Sequence, residues 1–234
     1  MEAKNHTADL GEAAAELGRR IPFLLAPTAF RLEAAAPTGA IQPPEGRWTC
    51  IFSMMREVQA GAAAAFSRER PGCTGAMNYF GFREVPVLPA ALFLSGKERL
   101  KREVSLAQAF YESVRAPAAP APCLVFSTLG SAPRGAAVEV VNLWVDANSL
   151  AALHTLANYD RATNDNVIMP FSSGCQSIWT LPFQEKGSAA PRAVAGSLDP
   201  TVRGFLPEGA ISFSVTAGRL LEMAANVPGS FLDR

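Results

Sequence analysis

The sequence predicts an α+β (or α/β) fold in which helices cover a mixed sheet in one compact unit. The chain has 234 residues, of which 49% are hydrophobic, enough to build one large core. Strand-like and helical patterns alternate after residue 122, which is typical of a sheet covered by helices. The strand-like runs are "CLVFST", "VEVVNLWV", "NVIMPF", "PRAVAGSL" and "AISFSV". The helical patterns are "ANSLAALHTLANY", which Asp146 or Asn148 can cap, and "AGRLLEMAANV".

The N-terminal half predicts mainly helices. We expect a first helix at about residues 8–20, then the extended segment "PTAFRLEA" and a Pro- and Gly-rich loop over 37–46. A stronger helix is predicted at about 49–66, because its apolar residues recur at helical spacing. A short helix follows at 73–80. The segment "VPVLPAALFL" is expected to be extended, and "SGKERLKREVSLAQAFYESV" to form an amphipathic helix with a solvated charged side.

The domain organisation is predicted as one domain over 1–234. The segment "APAAPAP" at 116–122 resembles a linker, so two subdomains meeting there are the alternative. Lys plus Arg and Asp plus Glu each number 21, so no net charge favours nucleic acid or an anionic membrane as a partner. Neither a signal peptide nor an apolar run of about 18 residues is evident, and we expect a cytoplasmic protein. The oligomeric state is not predicted.

Three of the four cysteines share a local pattern. Cys50, Cys73 and Cys175 each lie at a predicted helix start, and glycine directly precedes Cys73 and Cys175. Free N–H groups at a helix start stabilise a thiolate, so we expect lowered thiol pKa values and good metal ligands. The spacing matches no compact zinc or ferredoxin motif, which leaves three packed cysteines as the alternative. Cys123 lies within a strand-like apolar run and is interpreted as packing.

Other chemistry is sparse in the sequence. It contains no P-loop, G-x-G-x-x-G, G-x-S-x-G or H-E-x-x-H motif, and its two histidines, His6 and His154, give little support to a nucleophile with a histidine base. Asp199 and Arg203 are spaced for one helical turn, so they could pair with each other or Arg203 could contact an anionic ligand. Candidate substrate contacts are Arg203, Asp199, Trp179 and Asn158.

Most of the chain resembles the DUF169 family of uncharacterised bacterial and archaeal proteins. The resemblance is carried by "PTAFRL", "TCIFSMMREVQAG", "GCTGAMNYFGF", "NLWVDANSLAALHTLANYD", "SGCQSIW", "RAVAGSLDPTVRGFLP" and "ISFSVTAGRLLEMAANVPGSFL". The family pattern of cysteines maps to Cys50, Cys73 and Cys175 and excludes Cys123. The resemblance implies a further cysteine near Ala195 in many relatives, and this chain lacks it, which would leave one metal position open.

These observations lead to one main hypothesis and two alternatives. The main hypothesis is an iron–sulfur protein in which Cys50, Cys73 and Cys175 hold one [4Fe–4S] cluster with an open iron. It would serve a redox or Lewis-acid reaction on a small molecule in anaerobic metabolism, as an oxidoreductase, a lyase or an electron-transfer accessory with a redox partner. Zinc at the same cysteines is a weaker choice. The alternatives are a metal-free module for a small anionic or aromatic ligand and, last, a nucleophilic Cys73.

Overall fold

A seven-stranded mixed sheet organises the computed structural model, which describes residues 7–113, 116 and 118–233. The strands, in chain order, are β1 Leu25–Glu33, β2 Ala64–Ser67, β3 Cys123–Thr128, β4 Val140–Val145, β5 Val167–Ile168, β6 Ala193–Gly196 and β7 Ile211–Thr216. The strand order is β2-β3-β1-β4-β7-β6-β5, and β5 and β6 form the parallel pair in an otherwise antiparallel sheet. The predicted α+β fold with a mixed sheet is therefore confirmed.

Eight α-helices in the described residues surround this sheet. They are α1 Thr7–Arg20, α2 Met55–Gln59, α3 Thr74–Tyr79, α4 Val87–Leu92, α5 Val104–Ser113, α6 Ala147–Asn158, α7 Leu181–Glu185 and α8 Ala217–Ala225. A 3-10 turn, Ile51–Met54, precedes α2, and π-helical turns follow α4 (Phe93–Lys97) and precede α7 (Gln176–Thr180). None of these helices combines the length and the hydropathy needed to cross a bilayer.

The sheet joins both halves of the chain. Strand β1 lies between β3 and β4, and Thr28 of β1 pairs with Thr128 on one side and Asn142 on the other. Strands that precede residues 116–122 therefore share one sheet with strands that follow them. The buried indole of Trp144 reinforces this centre, because its Nε1 donates a hydrogen bond to Thr28 Oγ1 at 3.2 Å.

The two faces of the sheet carry separate cores. Alternation along β4 directs Val141, Leu143 and Val145 into a cluster with α1, α6 and α8. Val140 and Trp144 belong to the other cluster, which includes the turn before α2, α3 and the helical segment that leads into α7. All three cysteines of interest belong to or pack against this second cluster, so we call this side the cysteine face.

A buried arginine fastens the helices on the opposite face. Arg219 of α8 is 1% exposed and donates to both carboxylate oxygens of Asp160, each at 2.8 Å. It also donates to the carbonyl of Ala157 and to Glu222. Breaking a buried ion pair of this kind is strongly destabilising, because removal of one partner leaves the charge of the other unpaired in the core.

Two predicted segments of the N-terminal half have a different structure. The helix predicted at 49–66 ends at Gln59, and Ala64–Ser67 forms β2 instead. Gly61, with φ of 101°, lies between them at the change of direction, and Ala64 pairs with Phe126 of β3. The alanines of this segment favour a helix, so the pairing with β3 overrides their local propensity.

The segment "VPVLPAALFL" was predicted to be extended, but its residues Val87–Leu92 form the helix α4. Pro89 lies in the first helical turn, where no intrahelical N–H donor is needed. The helix predicted to follow begins only at Val104, after a bend at which Arg99 has φ of 56°. The remaining predicted helices and strands are present, with shorter bounds for several, and Asp146 is the residue that caps α6, through the Ser149 N–H at 2.8 Å.

Candidate functional site

The structure brings Cys50, Cys73 and Cys175 together on the cysteine face. Cys50 and Cys175 belong to its buried cluster, and Cys73 packs against that cluster. The three thiols are close enough to interact electrostatically, since a negative charge on Cys73 raises the pKa of both other thiols and Cys50 also affects Cys175. Cys123 lies in a separate small cluster with Ala65 and Val125. The structure therefore places three of the cysteines in or against one cluster and the fourth in another.

The approach of Cys50 to Cys73 depends on Gly72. The Thr49 N–H, one residue before Cys50, bonds to the carbonyl of Gly72, one residue before Cys73, at 3.4 Å. Gly72 has φ of +75°, and a Cβ there would lie 2.6 Å from the Thr49 carbonyl oxygen and 2.4 Å from the Phe66 ring. Only glycine fits this position without movement of the backbone.

The approach of Cys175 depends on the glycine before it in the same way. A Cβ on Gly174 would lie 2.5 Å from the ring of Phe52, which follows Cys50 by two residues. The helical segment after Cys175 also reaches the Cys73 helix, because Thr180 Oγ1 donates to the carbonyl of Tyr79 at 2.5 Å. The glycines that drew attention to the cysteines in the sequence are therefore the residues that allow the three segments to touch.

Each of the three cysteines lies at the start of a helical segment. Cys50 precedes the 3-10 turn Ile51–Met54, and Cys175 has helical backbone angles just before Gln176–Thr180. Cys73 is the N-cap of α3, and its Sγ accepts a hydrogen bond from the Ala76 N–H at 3.3 Å. The predicted positions are thus confirmed.

The predicted lowering of the thiol pKa values is wrong. Burial raises the pKa of Cys50 to about 11, although the backbone N–H groups of Phe52 and Ser53 act in the opposite direction. Burial likewise raises the pKa of Cys73 and raises that of Cys175 well above its ordinary value. The loss of water around the sulfur destabilises the thiolate more than the N–H groups at the helix starts stabilise it. In the metal-free chain all three are therefore neutral thiols at pH 7.

The charged neighbours with the largest effects on these thiols are acidic. Asp199 raises the pKa of Cys50 and Cys175, and Glu98 raises that of Cys73. Asp199 is buried and accepts from the N–H and the hydroxyl of Thr201 at 2.9 and 2.8 Å. Burial and the charge of Asp199 raise the pKa of half-buried Glu98. Thiolates here would add negative charge to an already acidic environment, and a bound cation would offset it.

Aromatic side chains surround much of the group. Tyr79, Phe80 and Trp179 are buried in the same cluster, and Trp179 stacks on Phe183 with ring centroids 4.5 Å apart. Trp48, in contrast, is 71% exposed. Tyr79, Phe80 and Trp179 therefore shield the site from water, and Trp48 does not.

The four predicted substrate contacts do not all lie at the cysteines. Arg203 donates to the carbonyls of Ser197 and Ala210, and Asp199 accepts from Thr201 instead of pairing with it. Trp179 is only 3% exposed, within the cluster. Asn158 lies on α6, on the opposite face of the sheet, where it accepts a hydrogen bond from Asn166 at 2.9 Å. Of these four candidates, the structure brings Asp199 and Trp179 to the cysteines.

The one histidine that the structure describes, His154, does not belong to this group. His154 is exposed on α6, on the far face of the sheet, and His6 lies outside the described residues. A histidine base for a nucleophilic Cys73 is thus not present among the described side chains of the site.

Two residues of this site were missed in the sequence. Glu98 belongs to a run of alternating charges that predicted a solvated face, and Tyr111 belongs to a helix without a catalytic pattern. Tyr111 stacks on Tyr79 with centroids 6.1 Å apart, and negative charge on Cys73 raises its pKa in addition to the effect of burial. No local signal marks either residue, since each reaches the site through the packing of α4 and α5.

No three His, Cys, Asp or Glu side chains in the described part of the chain converge closely enough to hold a single metal ion. A zinc site requires such convergence, because its ligands lie about 2.0–2.3 Å from one ion. An iron–sulfur cluster distributes its thiolates over different irons, so they lie further apart.

A family model matches residues 25–226, which include every residue of the site described above. The model is that of DUF169, described as uncharacterised ArCR. No curated protein and no solved structure matches the chain. Since the match covers most of the sequence, the chain belongs to the DUF169 family.

Proposed function

We propose that the chain binds one [4Fe–4S] cluster through Cys50, Cys73 and Cys175 and uses it on a small molecule. The observation that carries this proposal is the grouping of three thiols from three distant segments, with Cys123 left out. The glycines before Cys73 and Cys175 add to it, because a Cβ at Gly72 would lie 2.6 Å from the Thr49 carbonyl oxygen and one at Gly174 would lie 2.5 Å from the Phe52 ring.

The donor set fits such a cluster in its chemistry. Thiolates are the usual protein ligands of iron–sulfur clusters, and backbone N–H groups near them adjust the reduction potential. The Ala76 N–H already bonds to the Cys73 sulfur. The iron cations would also offset the negative charge of Asp199 and of the thiolates themselves. Zinc remains the weaker choice, because it requires ligands that converge on one ion.

Binding must displace three protons. Because burial holds the thiols neutral, each loses its proton only when a metal takes its place, and cluster affinity should therefore rise with pH. The cluster would also link the segments before α2, before α3 and before α7, so its loss should destabilise the chain.

The bound cluster would supply electron transfer or Lewis-acid chemistry, with one iron free of a cysteine ligand. Asp199, fixed by Thr201, would keep a negative charge near Cys50 and Cys175. Glu98 is shifted toward its protonated form and could hold a proton beside Cys73. Such a site suits an oxidoreductase or a lyase, or an accessory that passes electrons to a redox partner, in the reducing cytoplasm of an anaerobic cell.

The test is metal analysis of four single variants after anaerobic purification. Cys50→Ala, Cys73→Ala and Cys175→Ala should each lose most of the iron and sulfide, and Cys123→Ala should retain them. Circular dichroism of each variant checks that it folds. Full iron retention in a folded Cys175→Ala variant would refute the ligand assignment.

A second candidate function is a metal-free binding module with structural cysteines. The observation in its favour is the neutral state of the three thiols, which is also what inert buried cysteines would show. Its expected contacts, Arg203 and Trp179, are engaged with backbone carbonyls and with the core, so a ligand would have to bind elsewhere. Colourless, iron-free protein that binds a metabolite would favour this candidate.

A further inference from the structure

We propose that a cavity beside the cysteine face binds a small organic anion, whose carboxylate or phosphate group is held by Arg68 and Arg83. The cavity has a volume of about 280 Å³ and lies between the end of α3, the loop that follows it and α5. The inference rests on the proposed function for what the ligand does, because the anion would be the substrate held beside the cluster. The cavity itself is formed by the protein alone.

Both arginines are anchored through their backbones and have free side chains. The Arg68 N–H bonds to the carbonyl of Pro122 at 3.3 Å, and the Arg83 N–H bonds to that of Met77 at 3.1 Å. Within the described part of the chain, neither guanidinium has a hydrogen bond or an ion pair, and the positive charge of Arg68 also acts on the neighbouring carboxylate of Glu69. A guanidinium offers five donors in a fixed fork that matches a carboxylate or phosphate. Glu84 is the acidic residue of the lining, so two positive charges face one negative charge.

The remaining walls suit the apolar body of an organic molecule. Phe82 is buried, and Val85 and Val87 line the cavity with it. Asn78 of α3 adds an amide group. The volume lies near the lower end of the range for ligand sites, about 300–1,000 Å³, so the ligand must be small. Apolar walls with a few convergent polar groups are the usual composition of such sites.

Tyr111 connects the cavity to the cysteines. It lines the cavity, and its ring stacks on Tyr79 of the cysteine face with centroids 6.1 Å apart. Burial raises the pKa of Tyr111, and negative charges on Cys73 and Cys175 raise it further, so its hydroxyl lies within electrostatic reach of both thiols. Tyr111 therefore contacts the cavity and, through Tyr79, the cysteine face.

The test is calorimetric titration of the full chain with phenyl phosphate and phenylacetate, and with neutral phenylacetamide as the control ligand. The two anions should bind and the amide should not. Arg68→Gln and Arg83→Gln should each weaken anion binding about tenfold or more, the loss expected for a charged hydrogen bond. Arg56→Gln, an exposed arginine outside the lining, should bind as the wild type does. Absence of anion binding, equal binding of phenylacetamide, or unchanged binding in both lining variants would overturn the proposal.

The same titration with Cys175→Ala separates this inference from the proposed function. Arginine-dependent anion binding in an iron-free variant would support the cavity, whatever the iron content of the wild type. A wild type without iron would refute the cluster alone. Iron in the wild type with no anion binding would refute the cavity and leave the cluster.

Discussion

Gly72→Ala should destabilise the protein far more than an equivalent substitution elsewhere, because Gly72 holds the first two cysteine segments together. Gly135 is a matched control. Both glycines have φ of +75°, but a Cβ at Gly135 meets nothing within 4 Å, and one at Gly72 would lie 2.6 Å from the Thr49 carbonyl oxygen and 2.4 Å from the Phe66 ring.

The expected magnitudes follow from these contacts. Alanine in the left-handed region costs about 1–2 kcal/mol at either position. The contact with Thr49 adds an overpacking cost of about 1–3 kcal/mol at Gly72 alone, since the obstacle is backbone and cannot rotate away. Gly135→Ala should therefore lower the free energy of unfolding by about 1–2 kcal/mol, and Gly72→Ala by about 2–5 kcal/mol.

Urea denaturation of the metal-free chain, with linear extrapolation, measures both values. Cluster loading should also fall more in Gly72→Ala than in Gly135→Ala, because the substitution separates Cys50 from Cys73. Equal destabilisation by the two substitutions would show that the Thr49–Gly72 approach does not constrain the chain, and would refute this reasoning.

Three further predictions test other parts of the structure. Gly174→Ala should cost about 1–3 kcal/mol in urea denaturation, through its clash with the Phe52 ring, and Gly130→Ala, with open space around it, should cost much less. Because Arg219 holds the pKa of Asp160 below its ordinary value, this carboxylate stabilises the fold above about pH 4, and the stabilisation is lost as the pH falls. The free energy of unfolding should therefore fall less steeply with acid pH in Asp160→Asn than in the wild type. The same slope in both proteins would contradict the assignment. In metal-free protein, iodoacetamide should label partly buried Cys73 before the three buried cysteines, slowly at pH 7 and faster as the pH rises, as followed by mass spectrometry. Rapid labelling of Cys73 at pH 7 would contradict its raised pKa.

The cysteine grouping was predicted from the local pattern of helix starts and glycines together with the resemblance to the DUF169 family. Glycine before Cys73 and before Cys175 marks a place where backbone must approach closely, and the structure shows which atoms approach. The helix starts were also visible as breaks in the hydrophobic pattern. The sign of the pKa shifts was not predictable, because it depends on how deeply Cys50 and Cys175 are buried, and burial arises from long-range packing.

The errors in secondary structure have a similar origin. Ala64–Ser67 is a strand because β3 lies beside it, a partner nearly sixty residues later in the chain. Val87–Leu92 is a helix that packs mainly against α5, and the same packing delivers Glu98 and Tyr111 to the cysteine face. Residues brought in by such contacts carry no local sequence signal, and Glu98 and Tyr111 are two of them.

The central claim is best tested by iron, sulfide and zinc analysis of the full chain after anaerobic purification, together with its visible spectrum. The account predicts about four irons and four sulfides per chain, little zinc, and a visible absorption that bleaches on reduction. A colourless protein without iron or sulfide after anaerobic reconstitution would contradict it. The three thiols would then be structural, and the cavity between Arg68 and Arg83 would be the place to seek a ligand.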